Sequence, residues 1–402
     1  MKLVEPRPIK DFALGIYDGP HATPKESSEG AVFLGIKNIT DDGRLDMSEI
    51  RHVSEQELPR WTRRVTPQPG DVVLTYEATL HHYAIIPDGF RGCLGRRVAL
   101  VRPDPKKADS RFMLYYFLSH QWRNVVQGFV KTGATVDRIP LEKFPEFPVS
   151  FPKLSVQEEI ANVLSAYDEL LENNRRRMEL LEESARLLYR EWFVRLRFPG
   201  HEHAPLTNGI PQGWERVPTP EAIEINPTTK LSEEEEHWYV EMADLPTDSM
   251  VIQNAIKRDG RSGSKFRNGD TLLARITPCL ENGKTGFVNF MADGEGGRGS
   301  TEFIVLRSNR VTPEFVYCLA RTHDFRGNAI KSMIGSSGRQ RVQESCFEKF
   351  MVLIPPRPLL DLFSESAEPI FQQIKVLHAQ NQKLRAARDL LLPRLMNGEI
   401  AV

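Results

Sequence analysis

Few side chains in this sequence are spaced for covalent chemistry. Gly294-x-Gly296-x-x-Gly299 has the spacing of a dinucleotide-binding turn. The segment after it, Thr301-Glu302-Phe303-Ile304-Val305-Leu306, reads as a strand, where a pyrophosphate site needs a helix N-terminus. These glycines are therefore expected to form a flexible loop. His201-x-His203 could supply two metal ligands, but no carboxylate or cysteine stands at ligand spacing around the Pro199-Gly200 turn, and a solvated linker is expected. P-loop, G-x-S-x-G and H-E-x-x-H patterns do not occur. The chain is thus expected to be no enzyme, to hold no metal and to bind no cofactor itself.

What the sequence does offer is chemistry for gripping phosphate and base edges. Two short glycine turns carry small polar and basic residues: Lys131-Thr132-Gly133-Ala134-Thr135-Val136-Asp137-Arg138, and Gly335-Ser336-Ser337-Gly338-Arg339-Gln340-Arg341. Glycine lets backbone N–H groups approach phosphate, while Arg and Gln side chains have the bidentate geometry that reads purine edges. Two further loops follow Gly-Asp strands. One contains His81 and His82; the other contains Arg275, Thr277, Asn282 and Lys284. Residues 84–143 hold eleven basic against five acidic side chains, and residues 298–349 hold nine against five. Two basic patches suit phosphate contact at two sites on a duplex. Asn226-Pro227-Thr228-Thr229 begins like the base-clamping turn of amino-methyltransferases but lacks its second proline and its aromatic residue.

These patches recur because the chain is built twice. An offset of 203 residues relates Phe112 to Phe315, Arg138 to Arg341, Phe144 to Phe347 and Pro152 to Pro355, and an offset of 199 relates Gly70-Asp71 to Gly269-Asp270. Each half reads as short apolar strands, a helix (residues 111–126 and 313–323), a glycine turn, a strand ending in proline, and a long helix. The long helices are the strongest signal. A 3.5-residue period runs through Leu164, Leu171, Asn174, Met178, Leu181 and Trp192, and again through Phe363, Ile374, Leu377, Asn381, Leu384 and Leu391. Paired antiparallel, Leu164 meets Leu391, Leu171 meets Leu384, Met178 meets Leu377, Leu181 meets Ile374, Trp192 meets Phe363, and Asn174 meets Asn381. One polar layer in an apolar seam sets register. Ser155 and Glu158 are expected to form the capping box of the first helix, and Pro393 to kink or shorten the second.

Composition closes other classes. Of 402 residues, 40% are hydrophobic and 27% charged, which excludes wholesale disorder. No apolar run reaches a membrane span, the N-terminal residues lack the apolar stretch of a signal peptide, and four scattered cysteines make no zinc or disulfide framework, so a cytoplasmic protein is expected. The net charge of −1 averages the basic patches with acidic segments such as Glu233-Glu234-Glu235-Glu236. The positive potential is expected as two separated patches on one side of the molecule.

In its motifs the chain resembles the specificity subunit of type I restriction-modification enzymes across essentially its whole length. The likeness is carried by Pro152-x-x-Ser155-x-Gln157-Glu158-x-Ile160-Ala161, Tyr167-Asp168, Asn173-Asn174-Arg175, Leu180-Leu181-Glu182 and Tyr189-Arg190-Glu191-Trp192-Phe193. It continues in Pro211-Gln212-Gly213-Trp214, Gly269-Asp270-Thr271-Leu272-Leu273, Asn282-Gly283-Lys284 and Leu391-Leu392-Pro393-Arg394-Leu395-Met396-Asn397-Gly398-Glu399-Ile400. Residues 7–11 depart from it, lacking the Pro-x-Gly-Trp opening. The resemblance implies an α+β fold of two similar target recognition domains (residues 1–153 and 200–357), joined and spaced by two conserved helices (154–199 and 358–402) that pack as an antiparallel coiled coil. It implies that each domain reads half of a split double-stranded DNA site. It also implies that the helices dock two methyltransferase subunits, which bind S-adenosylmethionine, and that a separate motor-nuclease subunit cleaves unmodified DNA. Two rivals stay open: a scaffold that uses its helices for assembly alone, and a stand-alone nuclease or methyltransferase, for which no ligand set is visible.

Overall fold

The computed structural model describes residues 5–130, 136–232, 235–260, 262–336 and 338–400. It divides into two compact units, Met1–Leu171 with Lys383–Val402, and Glu172–Gln382. In the first, β1 (Ala13–Asp18), β2 (Ala31–Leu34), β3 (Arg51–Val53), β4 (Val72–Thr75), β5 (Tyr83–Ile85), β6 (Gly92–Leu94) and β7 (Val98–Pro103) form two small sheets of order β1-β7-β4-β5 and β3-β2-β6. Every residue of β4 is buried, as expected of the apolar run Val72-Val73-Leu74 with a strand on each side; polar Thr75 is buried with it.

The second unit repeats this plan. Here β8 (Ile223–Ile225), β9 (His237–Val240), β10 (Ile256–Arg258), β11 (Ser264–Arg267), β12 (Thr271–Ala274), β13 (Thr285–Phe287), β14 (Gly296–Gly299) and β15 (Phe303–Ser308) form sheets of order β8-β15-β12-β13 and β10-β9-β14-β11. Strand for strand the order matches the first unit, with β11 added. One sheet in each unit contains a parallel pair, β2 with β6 and β9 with β14.

The single helix expected in each half is two. α1 (Ser110–Leu118) and α2 (His120–Phe129) meet at Ser119, whose hydroxyl accepts from Trp122 N. Asp109 caps α1 by accepting from Arg111 N and Phe112 N. The second unit's pair meets at Thr322, which accepts from Phe325 N, and its first helix is capped by Thr312, which accepts from Phe315 N. Both caps recur at the offset of 203 residues, although Asp, Ser and Thr differ in identity.

The long helices are α3 (Leu154–Tyr189) and, after the second unit's α4 (Pro313–Ala320) and α5 (His323–Lys331), α6 (Arg357–Met396). Ser155 lies inside α3 and does not cap it. Gln157 does the anchoring there: buried, it donates from Nε2 to Lys107 O (2.9 Å) and Pro152 O (2.8 Å), and its Oε1 accepts from Asp109 N (3.1 Å). Pro393 does not stop α6, which runs three residues past it; Pro369 is also accommodated within the helix. A π-helical turn, Arg190–Val194, ends α3 and turns two adjacent aromatics inward. Trp192 sits 6.1 Å and Phe193 5.0 Å from the Phe363 ring, as centroid distances.

Partners on α3 and α6 run in opposite senses. In the second unit Asn174 Nδ2 donates to Asn381 Oδ1 at 2.9 Å, with both amides buried, which is the expected polar layer in the expected register. In the first, Arg388 Nη1 meets Asp168 Oδ1 at 2.6 Å, and Leu164 and Leu395 share one core with Leu391 against it. Each globular body is fastened to its helices by a tyrosine. Tyr115 Oη donates to Asp168 Oδ2 at 2.6 Å; Tyr317 Oη donates to Glu182 Oε1 at 2.5 Å, whose other oxygen accepts from Met250 N at 2.7 Å.

Candidate nucleic-acid interface

In the first unit, β4 leads into the loop that carries His81 and His82, and the backbone fastens this loop to the basic turn. Ile139 N donates to Tyr76 O (2.8 Å), Ala78 N to Asp137 O (3.2 Å), and Glu77 bridges Arg138 as an antiparallel pair. Ala78 and His81 adopt left-handed φ values of 71° and 65°, strain typical of recognition loops. His82 Nδ1 is spent on Ile39 O at 2.7 Å. His81 is half-buried, and burial, reinforced by Arg123 and His82, lowers its pKa and favours a neutral ring. Arg138 is exposed and makes no ion pair among the described residues. Lys131, Thr132, Gly133 and Thr135 lie outside the described residues.

The second unit brings the equivalent segments together in the same way. Thr277 N donates to Gln340 O (3.0 Å), Val342 N to Arg275 O (2.9 Å), and Ile276 bridges Arg341. Ile334 and Arg341 exchange two backbone bonds of 3.0 Å, closing a hairpin whose tip is the glycine turn. At that tip Ser336, Gly338 and Arg339 are exposed and Gln340 is half-buried; Ser337 lies outside the described residues. The Asn282 side chain makes no hydrogen bond among the described residues, and the Thr277 hydroxyl lies 4.0 Å from Met333 Sδ.

Three of the candidates in this unit have their cations engaged by the protein. Arg341 forks onto Glu302 through Nε (2.9 Å) and Nη2 (2.6 Å), which holds that carboxyl below its ordinary range. Arg275 Nη1 reaches Glu344 Oε1 at 3.2 Å, and Lys284 Nζ donates to Met242 O at 2.6 Å. Arg339 is left as the exposed guanidinium of the turn.

The basic patches are also thinner than the residue count suggests. Arg298, Arg307 and Arg321 are buried. Arg307 forks onto Asp270 (2.8 and 2.7 Å), and Arg102 onto Asp71 (2.8 Å twice). These aspartates also accept from Arg267 N and Gln68 N, so the repeated Gly-Asp motif builds an internal ion pair next to a tight turn. Among the described residues, Arg96, Arg123, Arg138, Arg326, Lys331 and Arg339 form no ion pair.

The Gly294 motif is a correction: Gly296–Gly299 is strand β14, not a flexible loop. A Cβ on Gly297 would stand 2.2 Å from the Phe266 ring, so packing excludes any larger residue. His201 Nδ1 lies 2.8 Å from Phe198 O. No group of three or more metal-ligating side chains occurs among the described residues. Sequence reading missed the cluster at the end of β4, where His21 Nε2 and Arg64 Nη1 lie 3.0 and 2.5 Å from Asp18 and Tyr76 Oη lies 3.5 Å from His21 Nδ1. Its members span almost 60 positions without a motif.

Residues 21–183 match the family model described as the type I restriction modification DNA specificity domain. Over 370 residues the chain is 25% identical to the type I restriction enzyme MjaIX specificity subunit of Methanocaldococcus jannaschii, covering 88% of this chain and 82% of that protein. It is 30% identical over 156 residues to the EcoEI specificity subunit of Escherichia coli, 37% of this chain and 26% of that one. A crystal structure of the S subunit of a type I restriction-modification system from M. genitalium has the same fold, with a TM-score of 0.55 at 15% identity, covering 98% of this chain and 97% of that one.

Proposed function

Because this chain belongs to the type I restriction-modification specificity subunits, we propose that it reads a bipartite, asymmetric double-stranded DNA site, one half per globular body, without catalysing a reaction. The observation that carries this reading is the convergence of loop and glycine turn, made by backbone bridges at equivalent places in both units (Glu77 with Arg138, Ile276 with Arg341) while the side chains on display differ. A shared frame with different reading groups suits a site whose halves differ in sequence.

Docking of methyltransferase subunits on the helices belongs to the same proposal. It is supported by large apolar side chains left exposed on them, Leu170, Leu180 and Leu187 on α3 and Val376 and Leu390 on α6, which a partner could cover. S-adenosylmethionine would then sit on those partners, and a motor-nuclease subunit would join them. Among the described residues no helix is long and apolar enough to cross a membrane.

The test is selection of bound sequences from randomised duplexes by the chain with its co-purifying subunits. Two different half-sites separated by a fixed gap are expected, and insertion of one heptad into both α3 and α6 should change the gap and neither half. A single continuous site, or no enrichment, would overturn the reading.

A further inference from the structure

We propose that the second unit holds a phosphate cradle beside its converged loops, formed around Lys265, that grips one phosphodiester of the DNA backbone. This rests on the DNA-reading function above and adds a contact on a different surface from the glycine turn.

The cradle is a cavity of about 290 Å³ between the Asn226–Thr229 turn, the start of β11 and the Thr301 turn. Its polar lining comprises Lys265, Arg275 and the hydroxyls of Thr228, Thr229, Ser264 and Thr301, and it includes no carboxylate. The Lys265 ammonium makes no ion pair among the described residues. Two carboxylates stand near Arg275: Glu344, 43% exposed, at a single 3.2 Å contact of small worth, and Glu302, whose charge Arg341 already forks onto; Arg275 Nη2 also donates to Val342 O at 3.3 Å. Arg275 Nε is buried and has no hydrogen-bond partner among the described residues.

Ser264 Oγ spends its hydrogen on Phe303 O at 3.1 Å, but the three threonine hydroxyls are left to donate. Thr229 Oγ1 already accepts from Arg307 Nη2 at 2.8 Å, so its own hydrogen is available to a ligand. The hydroxyls of Thr228 and Thr301 have no partner among the described residues. Asn226 Oδ1 accepts from Val305 N at 2.9 Å, which fixes the amide and leaves its NH2 as donor. Gly263 closes one side at φ 111°, where a Cβ would stand 2.1 Å from Gly299 O. A compact site with one unpaired ammonium, a partly engaged guanidinium, several donors and no carboxylate in its lining is matched by a ligand that is small, anionic and rich in acceptors, as a phosphate is.

Its position favours a phosphate of DNA over a free one. Arg275 is the residue whose carbonyl takes Val342 N from the glycine hairpin, and Thr301 precedes Glu302, the partner of Arg341. A strand whose bases lie at the hairpin therefore passes its backbone near the cavity. The equivalent place in the first unit is built differently: at the end of β4 stands Tyr76, and Asp18 puts a carboxylate there, met by Arg64 and His21.

The test uses the full chain with its co-purifying subunits and a long duplex of mixed sequence, titrated with salt. Lys265→Met is expected to lower the slope of log affinity against log salt by about 0.9, the loss of one phosphate contact, and Lys265→Arg to restore it. Thr301→Val, which removes a neutral donor, should weaken binding a few-fold with the slope unchanged. Circular dichroism melting checks that each variant folds; Lys265 and Thr301 both reach the surface, so both variants should. An unchanged slope for folded Lys265→Met, while the wild type binds duplex, overturns the cradle and leaves the DNA-reading function standing. Broadening of the 31P signal of inorganic phosphate by wild type but not by Lys265→Met, with that unchanged slope, would assign a free-phosphate site instead. Absence of duplex binding by the wild type would overturn both proposals.

Discussion

The two units fasten their globular bodies to the long helices with the same kind of bond at different depths. In the first, Tyr115 donates to Asp168, a side chain still 38% exposed, and Arg388 closes on the same carboxylate from α6. In the second, Tyr317 donates to Glu182, which is 5% exposed and also takes Met250 N, while Arg321 lies 3.6 Å away and donates to Thr247 O, Gly283 O and Ser249 O. Burial strengthens each bond and raises the cost of losing one partner. Burial first, then the neighbouring carboxylate, raises the pKa of both tyrosines, so both remain donors across the physiological range.

The sharpest way to break this comparison is Glu182→Leu. It leaves Arg321 buried without its nearest carboxylate and Met250 N without an acceptor, and should cost roughly 3–5 kcal/mol in chemical denaturation. A loss no larger than that of the rim variant below would mean that depth does not matter here. Next comes Asn381→Leu, which strands the Asn174 amide and should cost about 1–3 kcal/mol; adding Asn174→Leu should recover most of it, because an apolar pair replaces an apolar-polar clash. At the rim, Asp168→Ala should cost only about 1 kcal/mol, since solvent can satisfy Tyr115 and Arg388.

The smallest effect tests burial alone. Glu314 is buried in the second unit, where Ser364 Oγ donates to it at 3.2 Å, and burial raises its pKa. A raised acid favours folding while both states are protonated, and that advantage fades as pH rises through the ordinary carboxylate range toward its folded pKa. Glu314→Gln is therefore expected to raise the melting temperature at pH 7 and to make no difference well below the ordinary glutamate pKa. An equal gain at both pH values would point to packing rather than charge.

Much of this architecture was legible because it is periodic. The 3.5-residue stripe locates α3, α6 and their polar layer, and the offsets of 199 and 203 residues locate the repeated Gly-Asp strands and the glycine turns. What escaped was set by partners distant in sequence. Ser119 and Thr322 break the shorter helices through a side-chain cap that competes with the helical ladder. The glycines of β14 looked like a loop because nothing local reveals that the Phe266 ring lies across them. Charge was read least well: Arg102, Arg307 and Arg321 were counted with the basic faces, yet their fork and carbonyl partners lie 31 to 74 residues away. The sequence shows each loop and each glycine turn beside its own repeated motif. Their bridging needed the fold.

The amide pair Asn174 and Asn381 has a consequence for assembly errors. A leucine seam is nearly indifferent to sliding by seven residues, because one apolar layer replaces another. Here such a slip in one direction sets Asn174 against Ile374, and in the other sets Asn381 against Leu181, leaving buried amides unanswered at roughly 1–3 kcal/mol each. The pair acts as a detent in the second unit's helix packing, turning a ladder of almost equivalent stops into one.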